Sequence, residues 1–186
     1  MVPHQLKLRG DTFTLDNNFF LKIDPGQYLI ELVRSHQIPV MQLAEINIAT
    51  LKHPVDDPRV SEFVDNLDRI NALAETSDGF IWRLKDDSSN ATAISVFGNP
   101  LTIINISVWR DVESLRTFTY NSAQTPFIGK RREWMEIPRV PFLVLWWIAD
   151  GDNPDPQEGK RRLQHLAEHG PSFTAFTFKQ TFEPPE

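Results

Sequence analysis

Asn105, Ser107 and Trp109 follow one another at every second position of the run "LTIINISVW", so in an extended chain all three side chains stand on one face. An amide, a hydroxyl and an indole N–H on one apolar strand suit the wall of a pocket where a few polar groups orient a greasy ligand. A second carboxamide, Asn47, interrupts "MQLAEINIA" in the same way. Burying either amide without a partner costs roughly 1 to 3 kcal/mol, so each must be bonded to something. One account ties each amide to a loop backbone, to a buried water or to solvent on a half-exposed face; the other has both lining a pocket between sheet and helices.

The elements that must carry these residues are legible in the apolar periodicity. "MQLAEINIA" reads as a strand with two apolar faces, and "GFIWRL", "ATAISVF" around the polar turn "KDDSSN", "LTIINISVW" and "PFLVLWWIA" read as further strands. Asp57 followed by Pro58 marks a helix start, and Val60, Phe63, Val64, Leu67, Ile70, Leu73 and Ala74 recur at helical spacing after it. Asp111 caps a second helix bearing Val112, Leu115 and Phe118, and a further piece with Phe127, Ile128, Arg131, Trp134 and Met135 runs from about Pro126 to before Pro138. Asp155, Pro156 and Glu158 open a last helix that Gly170-Pro171 stops, and "AFTFKQTF" reads as a closing strand.

Strand, helix, paired strands, helix, strand is the order of a ferredoxin-like α+β sandwich: an antiparallel sheet with helices on one face. The first and third principal strands are then antiparallel neighbours at the sheet centre, which places Asn47 beside Asn105. Residues 1 to 40 read as an N-terminal extension of uncertain role, with a hairpin in "TFTLDNNFFLKID" and a short helix in "QYLIELVRSH", ahead of a domain over 41 to 186 in which Met41 is an alternative start.

Composition excludes several function classes. A net charge of −6 leaves no basic stripe for phosphates, so nucleic acid is not an expected partner. There are no cysteines, which removes disulfides and thiolate chemistry. No apolar run approaches the roughly 18 residues of a membrane span, and the N-terminus lacks the apolar core of a leader, so the expectation is a cytoplasmic protein without a membrane partner. His165 and His169 stand four apart on a helix without a third ligand, and His53 is the one histidine near the expected core, so no metal is assigned.

The segments "FIWRL", "FGNPLTIINISVWRDVESLRTFTY", "KRREWME", "LVLWWI" and "HGPSFTAFTF" resemble, in order and spacing, a family known as domain of unknown function 3291, placed among the dimeric α/β-barrel proteins. The resemblance covers about 41 to 182 and implies a ferredoxin-like protomer whose sheet packs on a partner's sheet in a homodimer. The wider superfamily holds antibiotic-biosynthesis-type monooxygenases, polyketide cyclases, haem-degrading enzymes and stress-response proteins. Its cofactor-independent members that oxidise polycyclic phenols use a pocket asparagine, a tryptophan four residues on, a tyrosine and an arginine. Asn105 and Trp109 are similar in type and spacing, with Tyr120 as a proton relay and Arg132, or its neighbour Arg131, holding an oxyanion.

The implied function is therefore a monooxygenase without a cofactor, acting on an aromatic or polyketide-like small molecule. A polyketide cyclase or isomerase, or a non-catalytic ligand-binding or stress-associated module, are the alternatives. Asn47, Trp82, Ser107, Gln124, Arg131 and Trp134 are the candidates for contacting the substrate. Where the family resemblance implies a histidine, this chain has Gln124, which exchanges no proton near neutral pH.

Overall fold

A computed structural model describes residues 12–16, 19–23, 30–34, 40–85, 96–121 and 125–185. The chain divides into two compact units, Met1–Pro39 and Val40–Glu186. In the first, β1 (Thr12–Asp16), β2 (Phe19–Ile23) and β3 (Ile30–Arg34) form an antiparallel sheet in that order. The expected hairpin is β1–β2. The expected helix over "QYLIELVRSH" is instead a strand at its centre: all five residues of β3 pair with β2, so cross-strand pairing overrides a weak local helical pattern.

The second unit is built on four strands, β4 (Met41–Thr50), β5 (Phe80–Arg83), β6 (Thr102–Trp109) and β7 (Leu143–Ala149), all antiparallel in the order β5-β6-β4-β7. With α1 (Ser61–Glu75) between β4 and β5 and α2 (Val112–Asn121) between β6 and β7, this is the ferredoxin-like α+β sandwich. The central β4–β6 ladder sets Leu43 opposite Trp109, Glu45 opposite Ser107 and Asn47 opposite Asn105.

Local chemistry accounts for the helix starts. Asp57 accepts the Arg59 N–H at 2.9 Å and caps a 3₁₀ turn, Pro58–Val60, that feeds α1. Asp111 accepts the Ser114 N–H at 2.7 Å at the head of α2. Asp155 accepts the Glu158 N–H at 2.8 Å at the head of α4 (Pro156–His169). At Gly79, just before β5, a Cβ would lie 2.3 Å from Ser114 Oγ and φ is 78°, so only glycine fits.

Alternation splits the sheet side chains between two apolar layers. On one face Leu43, Trp109 and Leu145 pack with Ala74 of α1, Leu115 and Phe118 of α2, and Phe176. A neighbouring cluster joins Leu51, Val60, Phe63 and Trp134, the last residue of α3 (Thr125–Trp134). On the other face Ala44, Ile46, Ile106, Val108, Val144, Trp146 and Ile148 meet Leu163 and Leu166 of α4. Gly159 of α4 comes so close that a Cβ there would lie 2.5 Å from Ile46 Cδ1. The helices of the βαββαβ unit thus share one face, and α4, which follows that unit, covers apolar residues of the other.

Two strand expectations change. "AFTFKQTF" does not form a regular strand: Phe176 exchanges both backbone hydrogen bonds with Leu145, at 2.8 and 2.9 Å, while tight turns at Ser172–Ala175 and Thr177–Gln180 take up the N–H groups on either side. The strand expected at 91 to 97, with most of the turn before it, falls largely outside the described residues, and Val96 and Phe97 belong to no strand. Trp146 and Trp147 do point to opposite faces. Trp147 donates its Nε1–H to Phe182 O at 2.8 Å and packs on Phe176 within the chain. Among the described residues no helix is long and apolar enough to cross a membrane.

Candidate active site

Between the two apolar clusters on the helix-covered face, the sheet floor is polar. Glu45, Asn47, Asn105 and Ser107 occupy it, in a cavity of about 480 Å³ walled by Phe63, Leu67 and Ile70 of α1, Phe118 and Tyr120 of α2, and Leu143. The floor follows from the strand period: in β4 the residues in phase with Asn47 are Glu45 and Leu43, and in β6 the residues in phase with Asn105 are Ser107 and Trp109. The gap between the clusters falls over the polar members of these series.

Glu45 is the centre of the site. The residue is 3% exposed, and among the described residues the hydrogen bonds its carboxyl receives come from donors of the pocket floor. Asn47 Nδ2 donates to Oε1 at 2.6 Å, Ser107 Oγ donates to Oε2 at 2.9 Å, and Asn105 Nδ2 lies 3.4 Å from Oε2. Burial pushes the carboxyl up from 4.5 to about 7, and the bonds from Asn47 and Ser107 pull the other way without overcoming it. The group therefore changes charge near neutral pH inside a pocket, the condition for general acid–base chemistry.

The sense of the network is fixed by donor chemistry. An indole nitrogen only donates, and Trp109 Nε1 sits 2.9 Å from Ser107 Oγ, so the serine accepts from the indole and has its one proton left for Glu45. Trp109 itself is 1% exposed, edge-on to Phe80 at 5.3 Å and stacked on Phe118 at 5.1 Å. The indole N–H, which the sequence offers to a ligand, is given instead to Ser107, and the indole acts on the site through the serine.

The sequence candidates separate. Asn47, Asn105, Ser107 and Trp109 come together as described. Tyr120 borders the same cavity at its mouth, 59% exposed and edge-on to Phe178 at 5.7 Å. Arg131 also lines it, with its guanidinium 5.8 Å from the centre of the Phe142 ring. Arg132 does not line it: the side chain borders a smaller groove with Met135, Ile137 and Pro138, and its carbonyl accepts from Lys52 Nζ. Trp82 packs with the α4-side layer, because it pairs with Val108, whose side chain faces α4. Trp134 is buried against Phe63, Val60 and Leu51 as core. Gln124 lies outside the described residues. His165 and His169 stack on each other at 4.6 Å, with His165 Nε2 3.1 Å from Ser172 Oγ.

Two pocket residues escaped the sequence reading. Glu45 was visible as an acid two residues before Asn47 in an otherwise apolar strand, a position that a carboxylate occupies only when partnered. Arg83 pairs in register with Ser107 and lines the cavity, with its side chain 8% exposed and Nε 2.7 Å from Glu75 Oε1 of α1. Nothing in the spacing of "FIWRL" distinguishes that arginine from a solvated one.

Fold and site together define a ferredoxin-like α+β protein with a pocket floored by a buried carboxyl and walled by aliphatic and aromatic side chains. The family described as a domain of unknown function, DUF3291, matches residues 42–186, and the chain belongs to it. No curated protein matches the chain by sequence. Among solved structures, SnoaB, a cofactor-independent oxygenase from Streptomyces nogalater, is similar at 14% identity over 60% of this chain and 95% of its own, with a TM-score of 0.40. A protein of unknown function from Nitrosomonas europaea, NE2512, is similar at 11% identity over 63% and 96%, also with a TM-score of 0.40. Likenesses of this depth carry no argument about chemistry, which rests on the pocket.

Proposed function

We propose that the protein is a small-molecule monooxygenase that needs no cofactor, acting on an aromatic or polyketide-like substrate, with Glu45 as its base. The observation that carries this reading is the buried Glu45 carboxyl on the floor of an apolar cavity, ringed by donors and titrating near neutrality. In its ionised form Glu45 takes the proton of a phenol or enol. The resulting anion passes one electron to dioxygen, and the radical pair combines at the activated carbon to give a peroxide. Glu45 returns its proton to the leaving oxygen as the carbon's remaining hydrogen is lost, so that a CH₂ and O₂ become C=O and water. Asn105, whose bond to Glu45 is the longest of the three, is the donor best placed to turn to the developing oxyanion. Asn47 and Ser107 hold the base.

The test is oxygen uptake with anthrone in metal-free buffer. One O₂ consumed per anthrone oxidised, lost in Glu45→Gln, is the expected result; no uptake by protein that binds anthrone overturns the reading and leaves a binding module. A cyclase or isomerase is the second reading, favoured by the same ring of donors, since a base so placed can return a proton to a different carbon. Hydrogen–deuterium exchange at the acidic carbon of a bound ketone, in the absence of oxygen, would reveal it.

A homodimer, a cytoplasmic location and an extension over residues 1 to 40 outside the catalytic unit belong to the same reading. Because α4 covers apolar residues of the sheet face away from the pocket, a partner would dock elsewhere than by simple sheet-on-sheet packing. A monomer in light scattering at micromolar concentration would remove the dimer.

A further inference from the structure

The cavity has a charged feature that the proton chemistry of Glu45 leaves unused. Arg131 borders it from α3 and forms no ion pair with another described residue. By contrast Arg83, the other arginine of the lining, is held by Glu75. Arg131 stands over Phe142, whose carbonyl accepts the Ile48 N–H at 2.8 Å. Ile48 is three residues along β4 from Glu45, so the stretch of strand beside Phe142 and Arg131 lies roughly 10 Å along the backbone from the base. Around Arg131 the chain, acidic as a whole, gathers Lys52, Lys130 and Arg132, with Glu133 and Glu136 beside them. Lys130 is neutralised by Glu62 at 2.7 Å.

Resting on the reading of the pocket as a site for an acidic aromatic, we propose that Arg131 selects substrates that carry a carboxylate at the end of the ring system opposite the ionising hydroxyl. The spacing forces the polarity of binding. A carboxylate beside Glu45 would set two acids together over a buried floor, whereas at Arg131 it meets a forked donor that matches its geometry. Between the two ends the walls are apolar, so a flat two- or three-ring skeleton spans the distance with its faces against Leu67, Ile70 and Phe118.

The experiment is calorimetric titration of the full chain with a hydroxynaphthoate whose hydroxyl and carboxylate lie at opposite ends, and with the naphthol that lacks the carboxylate, repeated in Arg131→Gln. The expected result is an affinity advantage of about tenfold for the carboxylated ligand, abolished in the variant and partly restored in Arg131→Lys. Equal affinities in the native protein overturn the role of Arg131 while leaving the pocket reading intact. An advantage that survives in Arg131→Gln, with circular dichroism showing a folded variant, places the anion elsewhere and also overturns it. Failure of the native protein to bind either ligand removes both the selectivity and the aromatic pocket.

Discussion

Asn47 and Asn105 stand opposite each other across the β4–β6 ladder, and both turn their amide nitrogens to one carboxyl, that of Glu45. Two amides that looked like separate interruptions of apolar strands are one device. The low dielectric that raises the carboxyl also strengthens the bonds that orient it.

Glu45→Gln keeps the size of the side chain while removing the proton exchange, and turns one of its two acceptor oxygens into a donor facing the floor. Loss of turnover by about 10²- to 10⁴-fold is expected, with ligand affinity within a few-fold of native, measured by oxygen uptake and calorimetry side by side. In the native protein the rate should rise with pH through about 7, as the base ionises.

The same carboxyl has a signature in stability. Its folded value, about 7, lies above the ordinary 4.5, so the folded state holds a proton that the unfolded chain releases. The stabilisation is full below pH 4.5 and is lost as pH rises to about 7. Asp57, Glu75, Asp78 and Asp111 are held low by their hydrogen bonds and act in the opposite sense, which makes the difference from Glu45→Gln the informative quantity. Denaturant melts at pH 4.5 and pH 8 should show native protein losing on the order of 3 kcal/mol relative to the variant.

Ser107→Ala removes a bond that pulls the Glu45 carboxyl down and leaves the Trp109 indole N–H without its acceptor. The rising limb of the pH–rate profile should move to higher pH. Stability should fall by about 1 to 3 kcal/mol from the orphaned donor. A residue that merely filled space would change the melt and leave the profile where it is.

Gly159→Ala tests how tightly α4 seals the other face of the sheet. Alanine favours a helix by about 1 kcal/mol, but its Cβ would meet Ile46 Cδ1 at 2.5 Å and Cβ and Cγ2 at 3.3 Å. Net destabilisation of about 1 to 3 kcal/mol is expected in urea unfolding. Adding Ile46→Val removes the clashing methyl, so the double variant should be more stable than the sum of the two single effects.

Much of the frame was legible because its signals are local. Asp57-Pro58, Asp111 and Asp155-Pro156 satisfy helix N–H groups within a few residues of themselves, and a period of two or of 3.6 reports which face is buried whatever lies opposite. The antiparallel neighbours β4 and β6, and with them the pairing of Asn47 with Asn105, followed from the order of elements. The C-terminal "AFTFKQTF" and the segment at 30–34 misled for the same reason: whether a run becomes a strand depends on the partner edge it meets, and here one run finds a single bridge and the other a full ladder.

The sequence by itself determined the fold and three polar residues of the floor, Asn47, Asn105 and Ser107, since strand phase assigns each side chain to a face. Only the tertiary structure decided what those residues do. Hydrogen-bond direction, burial and spacing across strands are long-range properties, and they turned Trp109 from a ligand donor into a support for Ser107, sent Trp82 and Trp134 into the core, and raised the Glu45 carboxyl to about 7. A glutamate in a string of letters carries a full charge at neutral pH; placed among apolar walls with donors around it, the same residue becomes a group that can take a proton and give it back.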